Sequence, residues 1–561
     1  MRLQAMETFA PLPRRALAPL VALALAVVAC SGGAAAPPPG GGLDVTPGTG
    51  PALTEDVLGA VLPTSTSLAD PVGTDVVAVT TEDFDLGTVS LVDGAPAPLR
   101  GVAAVPVSAT AADPAPLVVV LHGSHLICRD DPSGYGTWPC PAGTEVKNEQ
   151  GLTWLLEAIA ARGAVAIAPA LNVQYTYGAG EPEPGARTAE VVARTLDALT
   201  SGALPVAASS VDLDRLVLAG HSLGGQDANL LARGAHGFAH AVDGLVLIQP
   251  ALNVVDAREL ADVPTVVVIS ECDGDVRLSG GLYVSDRLVR AGDAPVALVV
   301  LEGGSHNATN TLLRSDSFPS ESPTCDATRA ARTSGALTWE VESAAERERL
   351  AALLPALFDA VPSATAGEAV ELFDETRAPN DGSVTVVPGG ARVPLLPGDG
   401  EGAIADVRAD GATLTWCPSG YYTPFVVPGS EPCHRPELSL VVGQPASVAI
   451  AWDRAGAQVA VPISGVAGDV LRLRLFPDPA DIRLGDGPIV LRVRAQDGSS
   501  VEVSVPVPPA VRFTVEPFDI VGALLPWHTV RVALGAPLTE VTIEMVSPAQ
   551  GSLQLLTLGV D

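Results

Sequence analysis

Short apolar runs without polar alternation recur through the middle of the chain. They are Pro116–Leu121 (PLVVVL), Ala164–Ala168 (AVAIA), Arg215–Ala219 (RLVLA), Gly244–Gln249 (GLVLIQ), Pro264–Ser270 (PTVVVIS) and Pro295–Leu301 (PVALVVL). A strand reads this way when both of its faces are covered, because no position then has to be polar. Between the runs, Leu152–Arg162 and Thr188–Leu199 space their apolar residues by three and four, which predicts amphipathic helices. Strands alternating with helices predict a parallel sheet with helices on both sides. Thr88–Val92 and Gly101–Val107 are expected to form an antiparallel lead-in.

From about residue 364 the period changes. Leu471–Leu475 (LRLRL), Ile489–Arg494 (IVLRVR), Val501–Val505 (VEVSV) and Val541–Met545 (VTIEM) alternate apolar with polar residues, with Gly, Pro and Asp between them. Period two predicts half-exposed antiparallel strands. The fold class expected is therefore α/β: a doubly wound, mostly parallel sheet over residues 75–363, followed by an all-β, sandwich-like domain over 364–561. No aromatic platform or metal-ligand cluster stands out in the second region, which is read as a spacer or cover; its partner stays open.

Composition adds compartment and partner class. The chain has 561 residues, 17% of them charged, and a formal net charge of −32. That charge disfavours nucleic acid, whose binding needs a basic footprint. Arg14 and Arg15 precede the apolar stretch Ala16–Ala29, which is too short for a bilayer core needing about 20 helical residues, so residues 1–29 read as a secretion signal. Val27-Val28-Ala29-Cys30 resembles the lipobox of bacterial lipoproteins, which implies lipidation at Cys30 and contact with a membrane through that anchor only. Residues 30–74 begin rich in Gly, Pro and Ala and are expected to be a tether. An exported protein sits in an oxidising setting, where cysteines pair. Local spacing favours Cys128 with Cys140 and Cys417 with Cys433, leaving Cys272 with Cys325.

The chemistry is concentrated in a few short segments. Gly220-His221-Ser222-Leu223-Gly224-Gly225 directly follows an apolar run and precedes a helical stretch. A serine at so tight a strand-to-helix turn needs neighbours without a Cβ two residues on either side, and Gly220 and Gly224 meet that demand. Ser222 is the expected nucleophile. A serine hydroxyl needs a base, and of eight His the best placed is His306, just past the last apolar run. His221 is read as packing beside the nucleophile. The base in turn needs a carboxylate; Glu271-Cys272-Asp273-Gly274-Asp275 supplies it, with Asp273 preferred and Asp275 the alternative. Backbone N–H groups of Leu223 and Ser124 are the expected oxyanion donors, with His125 the alternative to Ser124. His122 and His125 lack an HExxH or comparable companion, so no metal and no organic cofactor is expected. Tyr175 and Tyr177 are read as bordering either the pocket or the surface.

The order Ser222, Asp273, His306, with the His122-Gly123 loop upstream, resembles the α/β-hydrolase superfamily over roughly residues 75 to 360. Within it, the chain looks like secreted bacterial esterases related to dienelactone hydrolase and polyester hydrolases. The resemblance implies two-step acyl transfer to water through an acyl-enzyme. The substrate class is a small or polymeric neutral ester, because a negative envelope repels anions. Alternatives are a serine peptidase or amidase with the same triad, and a surface binding protein without turnover.

Overall fold

Along the strand Ala115–Leu121, residues Leu117, Val119 and Leu121 face one apolar core while Val118 and Val120 face a second, and none is more than 2% exposed. The structure, a computed structural model, describes residues 58–61, 77–129, 138–176, 183–252, 259–270 and 294–301. It also describes, with interruptions, 273–290, 304–313 and 344–560. All of these belong to one unit, Leu53–Asp561. The signal, Cys30 and most of the expected tether lie outside the described residues.

The first strand, β1 (Leu58–Val61), is followed by β2 (Val79–Ser90), β3 (Pro96–Pro106), β4 (Ala115–Leu121), α1 (Thr153–Ala160) and β5 (Val165–Pro169). After them come α2 (Ala186–Thr200), β6 (Val211–His221), α3 (Leu223–Ala232), β7 (Gly244–Ile248), β8 (Thr265–Ser270), α4 (Ser279–Arg290), β9 (Val296–Leu301) and β10 (Val384–Val387). Nine strands form one sheet in the order β10-β9-β8-β7-β6-β4-β5-β3-β2. From β5 to β9 the pairs are parallel, whereas β2, β3 and β10 join the edges antiparallel. Residues of α2, α3 and α4 share one core with one sheet face, and α1 buries Leu155, Leu156 and Ile159 in the core of the other.

Further along the chain, two antiparallel sheets share a separate apolar core. One of them contains Ser447–Trp452, Val470–Pro477, His528–Leu534 and Gly551–Val560, and the other Ala457–Pro462, Ile489–Ala495, Ser500–Val505 and Glu540–Ser547. Every second residue of two of these strands enters it: Leu471, Leu473 and Leu475 are fully buried in this core, as are Ile489, Leu491 and Val493. β1 pairs antiparallel with His528–Leu534, although it lies within the stretch expected to be a tether. β10 joins the nine-stranded sheet from beyond residue 363, where the domain boundary was expected. The hairpin Gly420–Tyr422/Val442–Gln444 lies against α4.

The expected fold class is corrected. Among the described residues the protein is mostly β, 44% strand against 22% helix, and its strands fall into three separate antiparallel or mixed sheets besides two two-stranded ones, not the helix-rich α/β-hydrolase fold. The sequence reading gave most weight to the unbroken Val/Leu/Ile runs and the amphipathic helices. Antiparallel strands at both edges of the nine-stranded sheet, and the many strands after residue 394, outweigh them. Among the described residues, no helix is long and apolar enough to cross a membrane.

Candidate active site

The nucleophile candidate sits on strained backbone. β6 ends at His221, α3 begins at Leu223, and Ser222 between them has φ 58° and ψ −127°. Such a conformation costs an L-residue about 1–3 kcal/mol and persists only when its surroundings enforce it. Here they do: the Ser222 N–H donates to the Ile248 carbonyl (3.1 Å), and its own carbonyl accepts from the N–H groups of Gly225 and Ala251 (2.9 Å each). The turn closes because two side chains are missing. A Cβ on Gly220 would lie 2.1 Å from the Gly224 carbonyl oxygen, and one on Gly224 would lie 2.3 Å from that of Leu121.

The imidazole and the carboxylate meet at the same sheet edge. His306 follows β9 and Asp273 follows β8; His306 Nδ1 is 2.8 Å from Asp273 Oδ2, and each is 1% exposed. The other oxygen of Asp273 accepts from the backbone N–H groups of Asp275 and Val276 (2.9 Å each), which fixes the carboxylate. With Nδ1–H donating to Asp273, the proton-accepting lone pair of neutral His306 lies on Nε2. Nε2 is buried without a hydrogen-bond partner among the described residues, so the bond to Ser222 Oγ is not formed in this state. Such bonds commonly tighten only when substrate binds. The nearest charged oxygen to Nε2 is Asp275 Oδ2, at 3.5 Å. Burial lowers the His306 pKa, but the Asp273 charge and hydrogen bond, with Asp275 and Glu346 behind them, outweigh it and raise the pKa above the ordinary value.

Four buried imidazoles line this edge. Ring centroids are 6.3 Å apart from His122 to His125, 5.3 Å from His125 to His221, and 4.7 Å from His221 to His306. His122 is fully committed: Nδ1 donates to the Gly123 carbonyl (2.8 Å) and Nε2 accepts the Leu171 N–H (2.9 Å), so burial pushes its pKa down to about 4. His221 Nε2 lies 3.0 Å from the His306 carbonyl and donates to it, tying the residue before the nucleophile to the base. Burial, then neighbouring imidazoles, hold His125 and His221 well below the ordinary histidine range. Among the described residues, no group of three or more His, Cys, Asp or Glu is arranged to hold a metal ion.

The expected oxyanion donors flank Ser222. Leu223 opens α3, so its N–H has no acceptor within the helix. The loop carrying Ser124 is pressed onto the nucleophile, for a Cβ on Gly123 would fall 2.5 Å from Ser222 Cβ. Cys128 and Cys140, just beyond this loop, are disulfide-bonded. Cys417 is buried, while Cys272, Cys325 and Cys433 lie outside the described residues, and so do those two pairings. Tyr175 is buried and donates to the His122 carbonyl (3.0 Å), which makes it a support of this loop; Tyr177 lies outside the described residues.

Two braces of the base were not singled out in the sequence. Gln249, at φ 46° directly after β7, donates to Ser270 Oγ and to the Ser305 carbonyl (2.7 Å) and accepts from Thr309 Oγ1 (3.0 Å). Glu346, 3% exposed, accepts from the Ser305 N–H (2.9 Å) and hydroxyl (3.0 Å). The signal for Gln249 was a polar residue closing an otherwise apolar run; for Glu346 there was none. No protein-family model matches the chain, and no curated protein is detectably similar to it.

Proposed function

We propose that the protein is a serine hydrolase that cleaves carboxylic esters through Ser222, His306 and Asp273. One observation carries this reading: a buried imidazole bound to a carboxylate at 2.8 Å leaves its other nitrogen without a hydrogen bond, at the same sheet edge as a serine held at φ 58°. A serine keeps that strain only where its surroundings enforce it, and His125 and His221 also leave one ring nitrogen without a hydrogen bond, so what sets His306 apart is the carboxylate that fixes its tautomer.

Ser222 Oγ attacks the ester carbonyl while His306 Nε2 takes its proton. The tetrahedral oxyanion is held by the N–H groups of Leu223 and Ser124. As the intermediate collapses, the C–O bond to the alcohol breaks and Nε2 returns the proton to the departing oxygen, leaving an acyl-serine. Water then repeats the two steps and frees the acid. Asp273 holds the tautomer throughout and stabilises the imidazolium. The Cys128–Cys140 bridge supports an oxidising, extracytoplasmic location, in keeping with an anchor at Cys30.

Labelling by a fluorophosphonate probe in the full chain tests the reading. Labelling is expected in wild type and absent in Ser222→Ala, with hydrolysis of short p-nitrophenyl esters and none of peptides. Peptide cleavage would point to an amidase, and absent Ser222-dependent labelling to a non-catalytic binding role.

A further inference from the structure

Asp273 and Asp275, one residue apart, approach opposite nitrogens of one imidazole. Asp273 Oδ2 is 2.8 Å from Nδ1 and Asp275 Oδ2 is 3.5 Å from Nε2. The second contact is the unusual one, because Nε2 passes the proton from the nucleophile to the departing alcohol. A carboxylate 3.5 Å from that atom stands beside the alcohol portion of any ester bound for attack. The accessibility of the groups agrees: Ser222, His306 and Asp273 are at most 4% exposed, whereas the Asp275 side chain is 41% exposed. Asp275 therefore reaches from solvent to the proton-transfer nitrogen, and the Asp273 oxygen that accepts its N–H keeps it there.

We propose that Asp275 is a specificity-determining residue of this site, which admits esters of neutral or cationic alcohols and rejects esters whose alcohol portion is anionic. The inference rests on the serine-hydrolase reading for its substrate half, and on the 3.5 Å contact with Nε2 for its effect on His306. An anionic leaving group would be brought against a fixed carboxylate, and the chain's net charge of −32 gives no compensating field. A cationic or hydroxyl-bearing alcohol finds an acceptor there instead. For His306, each flanking carboxylate favours the imidazolium, which cannot accept the Ser222 proton. The groups facing the ring are Asp273 on Nδ1, Asp275 on Nε2, Glu346 behind Ser305, and the His221 ring with His125 beyond it, which oppose the positive charge only weakly because both are held neutral.

The test compares wild type with Asp275→Asn, a nearly isosteric change at an exposed side chain, with Asp275→Ala as a second variant. Phenyl acetate, 4-sulfonatophenyl acetate and 3-(trimethylammonio)phenyl acetate share an acyl group and differ in leaving-group charge. In Asp275→Asn, kcat/KM for the sulfonate ester relative to phenyl acetate is expected to rise about fivefold at low salt, the size of one charge contact in water. The relative rate for the cationic ester falls, and both changes shrink at high salt. An NMR titration of the His306 imidazole is expected to move to lower pH in both variants, and the acid limb of kcat/KM to move with it. Unchanged ester ratios overturn the specificity role, and an unchanged His306 titration overturns the coupling. The titration needs no turnover, so a protein that hydrolyses none of the esters yet shows the shift defeats the hydrolase reading and the specificity role with it, while the contact stands.

Discussion

In β8 every residue is buried, whereas in Ile489–Ala495 buried and half-buried positions alternate without exception. The nine-stranded sheet covers both faces of its parallel strands and has no lateral room for polar groups. Its buried polar residues collect at the strand ends: His122 and His125 after β4, Ser222 after β6, Gln249 after β7, Asp273 after β8 and His306 after β9. Carboxyl ends of parallel strands all point one way, so residues far apart in sequence converge there. In the two later sheets polar groups lie along the faces, as Arg492 does between Glu544 (3.0 Å) and Glu502 (2.5 Å). Ladders of this kind satisfy one another across strands, spread along the sheet. Parallel pairing thus concentrates chemistry at an edge, and antiparallel alternation disperses it.

The sharpest way to break that contrast is at the nucleophile. Ser222→Ala is expected to lower kcat by about 10⁴- to 10⁶-fold with the melting temperature unchanged or higher, read by ester turnover and calorimetry. Asp273→Asn comes next, with kcat falling about 10⁴-fold because the wrong His306 tautomer faces the serine. Leu491→Ala, deep in the second core, should cost about 2–5 kcal/mol in denaturant unfolding and leave kcat per folded molecule unaltered. If turnover fell with it, the two regions would not be separable as drawn. Gln249→Ala removes a brace of the His306 loop and is expected to cost about 1–3 kcal/mol of stability together with a loss of kcat, a pairing that no residue of the later sheets should show.

A milder prediction concerns acid. His122, His125 and His221 are held neutral in the folded protein, while in the unfolded chain they take up protons below their ordinary value of 6.5. The unfolded state therefore binds more protons as pH falls below 6.5, and folding stability declines through that window, down to about 4 for His122. Four groups pull the other way: His306, with its raised pKa, adds stability as pH falls, and Asp227, pushed up by burial to about 6, and Glu149 and Asp243, also raised by burial, do the same. The histidine shifts are the larger, His125 and His221 being held well below 6.5, so a net acid loss is expected. A urea midpoint that rose steadily from pH 6.5 to 4.5 would contradict this.

Individual elements were legible. The six apolar runs coincide with β4 to β9 within a few residues, because a strand buried on both faces leaves an unbroken signature. Ser222, Asp273 and His306 drew notice for the same reason, each standing just past such a run, and the structure brings the last two within 2.8 Å. The fold class was not, since the balance of strand to helix depends on edge strands such as β2, β3 and β10, whose pairing is set by tertiary contact. Spacing favoured Asp273 and kept Asp275 as the alternative, and only geometry assigns them to different nitrogens. Glu346 is separated from Ser305 by 41 residues and sits in no pattern that would mark it.

Leu58, in β1, hydrogen-bonds through its N–H to Ser499 Oγ, 441 residues away, and the strand it opens pairs with His528–Leu534. Its place cannot exist until nearly the whole polypeptide has left the ribosome. Closing so long a loop adds little to the entropic cost, which grows only with the logarithm of length, but it fixes an order of events. The nine-stranded sheet has all but its last strand, β10, on hand early, whereas the seam of β1 is sewn shut last, so a chain cut before His528–Leu534 would lose the fastening of β1.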